Sequence, residues 1–193
     1  MKLWLARHAQ PLIAPGLCYG ASDVAADAQG TRVAAQQLAN LLPPDLVLRT
    51  SPLQRCERLA QCLQGLRPDL TYKTDARLAE IDFGCWEGQA WDQIPPAAYD
   101  AWTADFGRHR FGGRESVGEF MQRVAGAWDE AAHAGRDALW VTHAGVIRAA
   151  TLLAQGVRTV QVASDWPPTA PGFGQWCALA WPQPAAVQCI DKP

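Results

Sequence analysis

Two patterns of apolar and polar positions share this chain. Short apolar runs without polar interruption suit strands covered on both faces, and longer stretches with apolar residues three and four apart suit helices. Leu3, Trp4, Leu5 and Ala6 form the first run and predict a strand over 2–6. Val33, Leu38, Leu41 and Leu42 predict a helix over 31–42, ended by Pro43 and Pro44. A second strand is expected over 45–50 and a helix over 51–63, with Ser51 as N-cap, Pro52 at the first helical position and Gly65 as its close. A shorter strand is expected at 69–74.

The segment 82–115 breaks the pattern. It is rich in glycine and proline, contains one weak helix near 96–105, and reads as a lid-like excursion from the main layers. Beyond it, Ser116 and Glu119 form a capping box for a helix over 116–134, whose stripe is Phe120, Val124, Ala127, Trp128 and Ala131. A strand at 138–143, a helix from Val146 to Gln155 stopped by Gly156, and a Pro/Gly-rich loop then lead to a last strand in QWCALAW, 175–181. No internal repeat is visible. Strands alternating with helices predict an α/β fold: a three-layer α/β/α sandwich with a mostly parallel central sheet, formed by residues 1–193 as one domain.

Composition narrows the picture modestly. A chain of 193 residues is long enough to bury a core without disulfides or metals. The formal net charge of -2 gives no global field for nucleic acid or an anionic membrane, so any anion site must be local. The cysteines at 18, 56, 62, 85, 177 and 189 form no CxxC pair and no zinc spacing, which predicts reduced, packed thiols. Arg7 interrupts the N-terminal apolar run too early for an export signal, and no run approaches a membrane span. A soluble, cytoplasmic protein is expected.

Three strand candidates end in matching polar residues. The first ends at Arg7-His8, the second at Thr50-Ser51 with Arg55 one helical turn on, and another at Thr142-His143 before Gly145 and a helix. A single Arg-His pair at a strand end is commonly a surface feature. Three such ends on parallel neighbours would share one rim, where ligands of layered α/β folds sit. Guanidiniums bind phosphate oxygens bidentately, and helix N-termini favour anions. The expected occupant is a phosphoryl group.

Arg7-His8-Ala9 resembles the Arg-His-Gly signature of the histidine phosphatase superfamily, also called phosphoglycerate mutase-like. The resemblance continues in CYGASD (18–23), SPLQRCERLA (51–60), LAEIDFGCWEG (78–88), GRES (113–116) and VTHAGVIR (141–148). Within the superfamily, YGASD and EIDFGCWEG most resemble the alpha-ribazole phosphatases of cobalamin assembly. The resemblance implies His8 as nucleophile, forming a transient phosphohistidine, and Arg7, Arg55 and His143 as holders of the phosphoryl oxygens. It implies Glu80 as proton donor, kept protonated by burial beside Ile81 and Phe83. It implies no metal and no cofactor, arginines and imidazolium taking that part. The partner implied is a small-molecule phosphate ester, with neither nucleic acid nor membrane, and a homodimer left open.

Some positions depart from the family pattern or lie outside it. Ala9 replaces the usual glycine after the nucleophile, at a cost only if the backbone needs a positive φ. Arg114 stands where the family often has a small residue, and with Tyr19 and Ser22 it is a candidate substrate contact. The basic cluster Arg108, His109, Arg110 and Arg114 reads as a solvated face, with a lid that recognises a second substrate group as the alternative. Trp86, Trp91 and Trp102 are expected to pack, with stacking on a heteroaromatic ring as the alternative. The expected function is a phosphomonoesterase. The rival readings are a phosphoglycerate-type mutase, a catalytically silent phosphate-ester-binding protein and, least supported, a metal-dependent hydrolase using His8 and His143.

Overall fold

A computed structural model describes residues 1–181. Cys189, expected to be a packed thiol, lies outside the described residues. The elements in chain order are β1 (Lys2–Arg7), α1 (Ala28–Leu41), β2 (Val47–Thr50), α2 (Gln54–Leu66), β3 (Tyr72–Thr74), α3 (Pro96–Ala104), α4 (Val117–Ala134), β4 (Ala138–Thr142), α5 (Ala144–Ala154) and β5 (Trp176–Ala180), with short 3-10 turns between β3 and α3 and before β5. The strands form one sheet in the order β3-β2-β4-β1-β5. All neighbours are parallel except β5, which runs antiparallel to β1.

The alternation of side chains across each strand builds the two outer layers. Leu3 and Leu5 of β1, with Ala138 and Trp140 of β4, face a core completed by Phe120, Val124 and Trp128 of α4 and Ile147, Ala150 and Leu153 of α5. Trp4 and Ala6, with Leu139 and Val141, face the opposite core against Ala34, Ala35 and Leu38 of α1 and Leu59, Ala60 and Leu63 of α2. A sheet buried on both faces explains why β1 and β4 read as continuous apolar runs. The expected three-layer sandwich is the observed architecture.

The predicted helices are shifted in informative ways. Helix α1 begins at Ala28, because Asp27 caps it by accepting the Gly30 N–H. Its buried stripe is Thr31, Ala34, Ala35 and Leu38, while Val33 and Leu41 are 45% and 48% exposed. Small residues on the inner face set the packing, so bulk was a poor guide to orientation. Helix α2 begins only at Gln54, with Leu53 as its N-cap residue and Ser51 outside it, and runs through Gly65 to Leu66. The capping box of α4 is present: Ser116 Oγ accepts the Glu119 N–H at 3.2 Å, and Glu119 Oε2 accepts the Ser116 N–H at 2.9 Å.

The excursion 82–115 gathers around Phe111, 1% exposed. Trp102 stacks on it with centroids 4.4 Å apart, and Phe83, Trp86, Trp91 and Tyr99 complete the cluster. Cys85, expected to pack, is exposed on a turn at its edge.

Candidate active site

The ladder that joins β1, β4 and β2 continues past the strand ends and brings three remote segments into contact. The His8 N–H donates to the Thr142 carbonyl at 3.1 Å, and the Ser51 N–H donates to the Val141 carbonyl at 3.0 Å. His8, Ser51 and His143 therefore follow neighbouring parallel strands at one rim. All three are buried, and the two imidazole centroids lie 5.1 Å apart.

The hydrogen bonds fix both tautomers. His8 Nδ1 lies 2.7 Å from the Ala9 carbonyl, which can only accept, so Nδ1 carries the proton. His8 Nε2 is then a lone-pair nitrogen with no hydrogen-bond partner among the described residues. Burial first, then the nearby charges of Arg55 and Arg7, push the His8 pKa down to about 3, against the opposing bond to Ala9. His143 receives the Arg55 Nε–H on Nδ1 at 3.3 Å, so its proton sits on Nε2 and is donated to Ser51 Oγ at 2.8 Å. Its pKa lies well below the usual histidine range, through burial and then the charges of Arg55 and the groups beside it. Burial first, and then the surrounding cations, thus disfavour the imidazolium that the family resemblance implies, unless a bound anion offsets them. Cys56, fully buried beneath it, donates its thiol hydrogen to the Thr142 carbonyl at 3.4 Å.

Arg55 is fully buried. Besides His143, its partners are the carbonyls of Ser22 at 2.6 Å and Gly20 at 2.7 Å. None of these carries a negative charge, and a buried cation without one is costly by several kcal/mol. Arg7 donates from Nη1 to the Pro171 carbonyl at 3.0 Å and lies 3.9 Å over the Phe173 ring. Burial lowers its pKa, against opposing help from Tyr19 and Glu80. An anion between these groups would recover much of the desolvation cost of both guanidiniums.

The carbonyls that hold Arg55 are themselves pinned. Glu87 Oε1 accepts the N–H of Ala21 at 2.7 Å and of Phe83 at 3.0 Å, and Oε2 accepts the N–H of Ser22 at 2.6 Å and its hydroxyl. A Cβ on Gly20 would collide with the Ile81 carbonyl, so this loop approach needs glycine. Ala9, in contrast, needs none: Asp45 is the only non-glycine with a positive φ among the described residues.

Glu80 is half-buried at the edge of the same rim. Its Oε2 accepts the Gly145 N–H at 3.0 Å, in the first turn of α5. A Cβ at Gly145 would collide with Glu80 Oε1, so this docking also needs glycine. Arg123 holds the segment from behind, donating to the carbonyls of Arg77, Ala79 and Glu80 at 2.8, 2.7 and 3.0 Å while paired with Glu115 at 2.6 Å.

Arg7, His8, Arg55, Glu80 and His143 line one cavity of about 530 Å³, and Tyr19 joins them with its ring 5.5 Å from the Arg55 guanidinium carbon. Trp91 and Trp102 also line it, so packing on Phe111 and facing the cavity are combined; Trp86 does only the former. Ser22 does not line it, its hydroxyl being taken by Glu87. Arg114 is 71% exposed, pairs with Asp82 at 3.3 Å and lies on a shallow depression on the far side of Glu80. Arg108 and Arg110 face solvent, Arg110 paired with Glu119, which fits the solvated reading of that cluster. Sequence reasoning missed Ser51 as a histidine partner, and Glu87, Arg123, Phe173 and Arg148, which also lines the cavity. Of these, Ser51, Glu87 and Arg148 lay within quoted motifs and carried a signal that could have been followed.

Comparison with known proteins bears on the family and the fold. Residues 3–165 match the family model of the histidine phosphatase superfamily (branch 1). No curated protein matches the chain. The Thermus thermophilus protein TTHB049 is 31% identical, with 95% of each chain covered and a TM-score of 0.68. The mycobacterial glucosyl-3-phosphoglycerate phosphatase, in complex with inorganic phosphate, is 25% identical over 93% of this chain and 89% of its own, with a TM-score of 0.76. Its complex with VO3 gives a TM-score of 0.78 at 24% identity, over 93% of this chain and 90% of that one. The family match spans most of the chain, and by it this protein belongs to the histidine phosphatase superfamily as one of its phosphatases.

Proposed function

We propose that the protein hydrolyses the monophosphate ester of a small metabolite through a phosphohistidine on His8, with alpha-ribazole 5'-phosphate as the leading candidate substrate. The observation that carries the mechanism is the His8 tautomer: Nδ1–H is committed to the Ala9 carbonyl at 2.7 Å, which leaves Nε2 to attack. Support for the substrate is the likeness of YGASD and EIDFGCWEG to that group of phosphatases, and a cavity with room for a ring system beside the phosphoryl group.

In the first half-reaction His8 Nε2 bonds to phosphorus as the ester P–O bond breaks. Arg7, Arg55 and His143 meet the charge that spreads over the phosphoryl oxygens, and Glu80 gives its proton to the leaving oxygen. In the second, Glu80 takes a proton from water as that water attacks phosphorus. The N–P bond breaks, inorganic phosphate leaves and His8 returns to its starting tautomer. Buried Arg55, whose side-chain partners carry no negative charge, gains a counter-ion when phosphate or ester binds, so binding and charge stabilisation share the same groups.

A panel of phosphate esters assayed with wild type and His8→Ala tests this reading. Steady release of inorganic phosphate without isomerised product, an acid-labile phosphoenzyme, and loss of both in the variant are expected. Comparable turnover in His8→Ala overturns the mechanism. Phosphate transfer within the substrate would indicate a mutase, and binding without turnover a silent binder. Hydrolysis of other esters in preference to alpha-ribazole 5'-phosphate removes that substrate alone.

A further inference from the structure

The stretch that carries Glu80 belongs to no helix or strand. From Glu80 to Asp82 no backbone N–H or carbonyl bonds to another backbone group among the described residues. Backbone of this kind finds its partners elsewhere. Here side chains supply them. Thr142 Oγ1 donates to the Leu78 carbonyl at 2.8 Å, and Glu115 Oε2 accepts the Asp82 N–H at 3.1 Å. Arg123 commits all five guanidinium N–H groups to the same stretch and to Glu115: Nη1 to the carbonyls of Arg77 and Ala79, Nη2 to the Glu80 carbonyl and Glu115 Oε2, and Nε to Glu115 Oε1. The guanidinium carbon lies 4.6 Å over the ring of Phe120, one turn earlier on α4 and itself part of the cavity wall. Arg123 and Glu115 do not line that cavity; they line the depression behind Glu80.

A planar fork that meets three carbonyls and a carboxylate fixes both the height and the tilt of the backbone it holds, which a compact ammonium does not. A proton donor works only within hydrogen-bond reach of the atom it serves, and a displacement of about 1 Å can cost roughly 10²-fold. We infer that Arg123 and Glu115 are positioning residues for proton transfer: as a buckle between α4 and the 77–82 stretch, they set the reach of the Glu80 carboxyl toward the leaving oxygen. The inference rests on the role given to Glu80 in the phosphatase reading above, and adds what keeps that carboxyl in range. Neither residue touches the reacting atoms.

The test uses two probes, p-nitrophenyl phosphate and the best-hydrolysed sugar phosphate of the ester panel. A sugar alkoxide needs a proton as it departs, whereas p-nitrophenolate leaves as a stable anion. kcat/KM is compared because it reports the steps up to transfer of phosphorus to His8 and omits the later attack of water. In Arg123→Gln it is expected to fall about 10²-fold for the sugar phosphate and no more than about threefold for p-nitrophenyl phosphate. With Glu80→Gln already present, the Arg123 change is expected to remove little more from the sugar phosphate rate, since two residues acting through one proton transfer are not additive. Equal falls for both probes, no fall for either, or full additivity with Glu80→Gln overturns the inference. Should Arg123→Gln fail to fold, Glu115→Ala decides by the same comparison. Glu80→Gln alone separates the two readings: if it slows both probes equally, the proton-donor role of Glu80 falls and this inference with it, and if wild type hydrolyses no ester, the phosphatase reading itself is overturned.

Discussion

The neutral form of His8 is enforced by position. Burial and two nearby guanidiniums hold its pKa near 3, so it is expected to stay neutral from pH 8 down to about pH 5. Imidazole 15N shifts in the anion-free protein should therefore stay flat across that range, with the proton on Nδ1; a titration near the ordinary histidine value would contradict the geometry. Gly145 offers a second test at this scale. Gly145→Ala puts a methyl where Glu80 Oε1 lies, and the carboxylate can swing away, whereas the helix around it is not obliged to move. We expect kcat to fall by roughly 10²-fold, the usual scale of a displaced general acid, with little change in Tm. Activity kept at the wild-type level would remove Glu80 from the proposed chemistry.

At the scale of elements, the site depends on loops that hold each other. Glu87 ties the segment at 20–22 to the start of the excursion, and the carbonyls of Gly20 and Ser22 in turn orient Arg55. Glu87→Ala is expected to raise the inhibition constant of inorganic phosphate roughly tenfold or more, since it frees several charge-assisted hydrogen bonds at once. An unchanged constant in a folded variant would show that Arg55 is oriented without it. The same elements show what was legible beforehand. Arg7, His8, Arg55 and His143 could be gathered from the sequence because each follows a recognisable strand end or opens a helix. Ser51 misled, because a serine before proline reads as a cap, while its hydroxyl is committed to His143 and α2 starts three residues later. Of the apolar residues expected to mark helix α1, Leu38 and Leu42 are buried but Val33 and Leu41 are not, because Thr31, Ala34 and Ala35 fill the rest of the inner face. Phe173 and Arg148 depend on where a Pro/Gly-rich loop and a helix face come to rest, and only tertiary packing fixes those.

For the molecule as a whole, two histidines kept neutral by burial make stability depend on pH. Each binds fewer protons folded than unfolded, so its contribution is complete above the unfolded value near 6.5 and declines as pH falls toward the depressed folded value. The loss approaches about 1.4 kcal/mol per pH unit for each histidine below that point. Thermal unfolding should thus show Tm falling between about pH 6.5 and 4, and less steeply in His8→Asn. Phosphate should raise Tm and flatten this decline, because an anion in the cradle favours the charged imidazoles. A Tm independent of pH over that interval would mean that the two rings are not buried as described. The layered fold accommodates such costs: with apolar cores on both faces of the sheet, most of the buried polar groups among the described residues lie at its carboxyl rim.

One further consequence follows from the mooring of Glu80 on the first turn of α5. His143 immediately precedes that helix, so the groups proposed as proton donor and as oxyanion support both meet its first turn. Drift of the helix along the sheet would carry both together and preserve their mutual spacing, whereas His8, fixed to β1, would stay behind. Misalignment under heat should accordingly show first in the attack on phosphorus, and only later in departure of the alcohol.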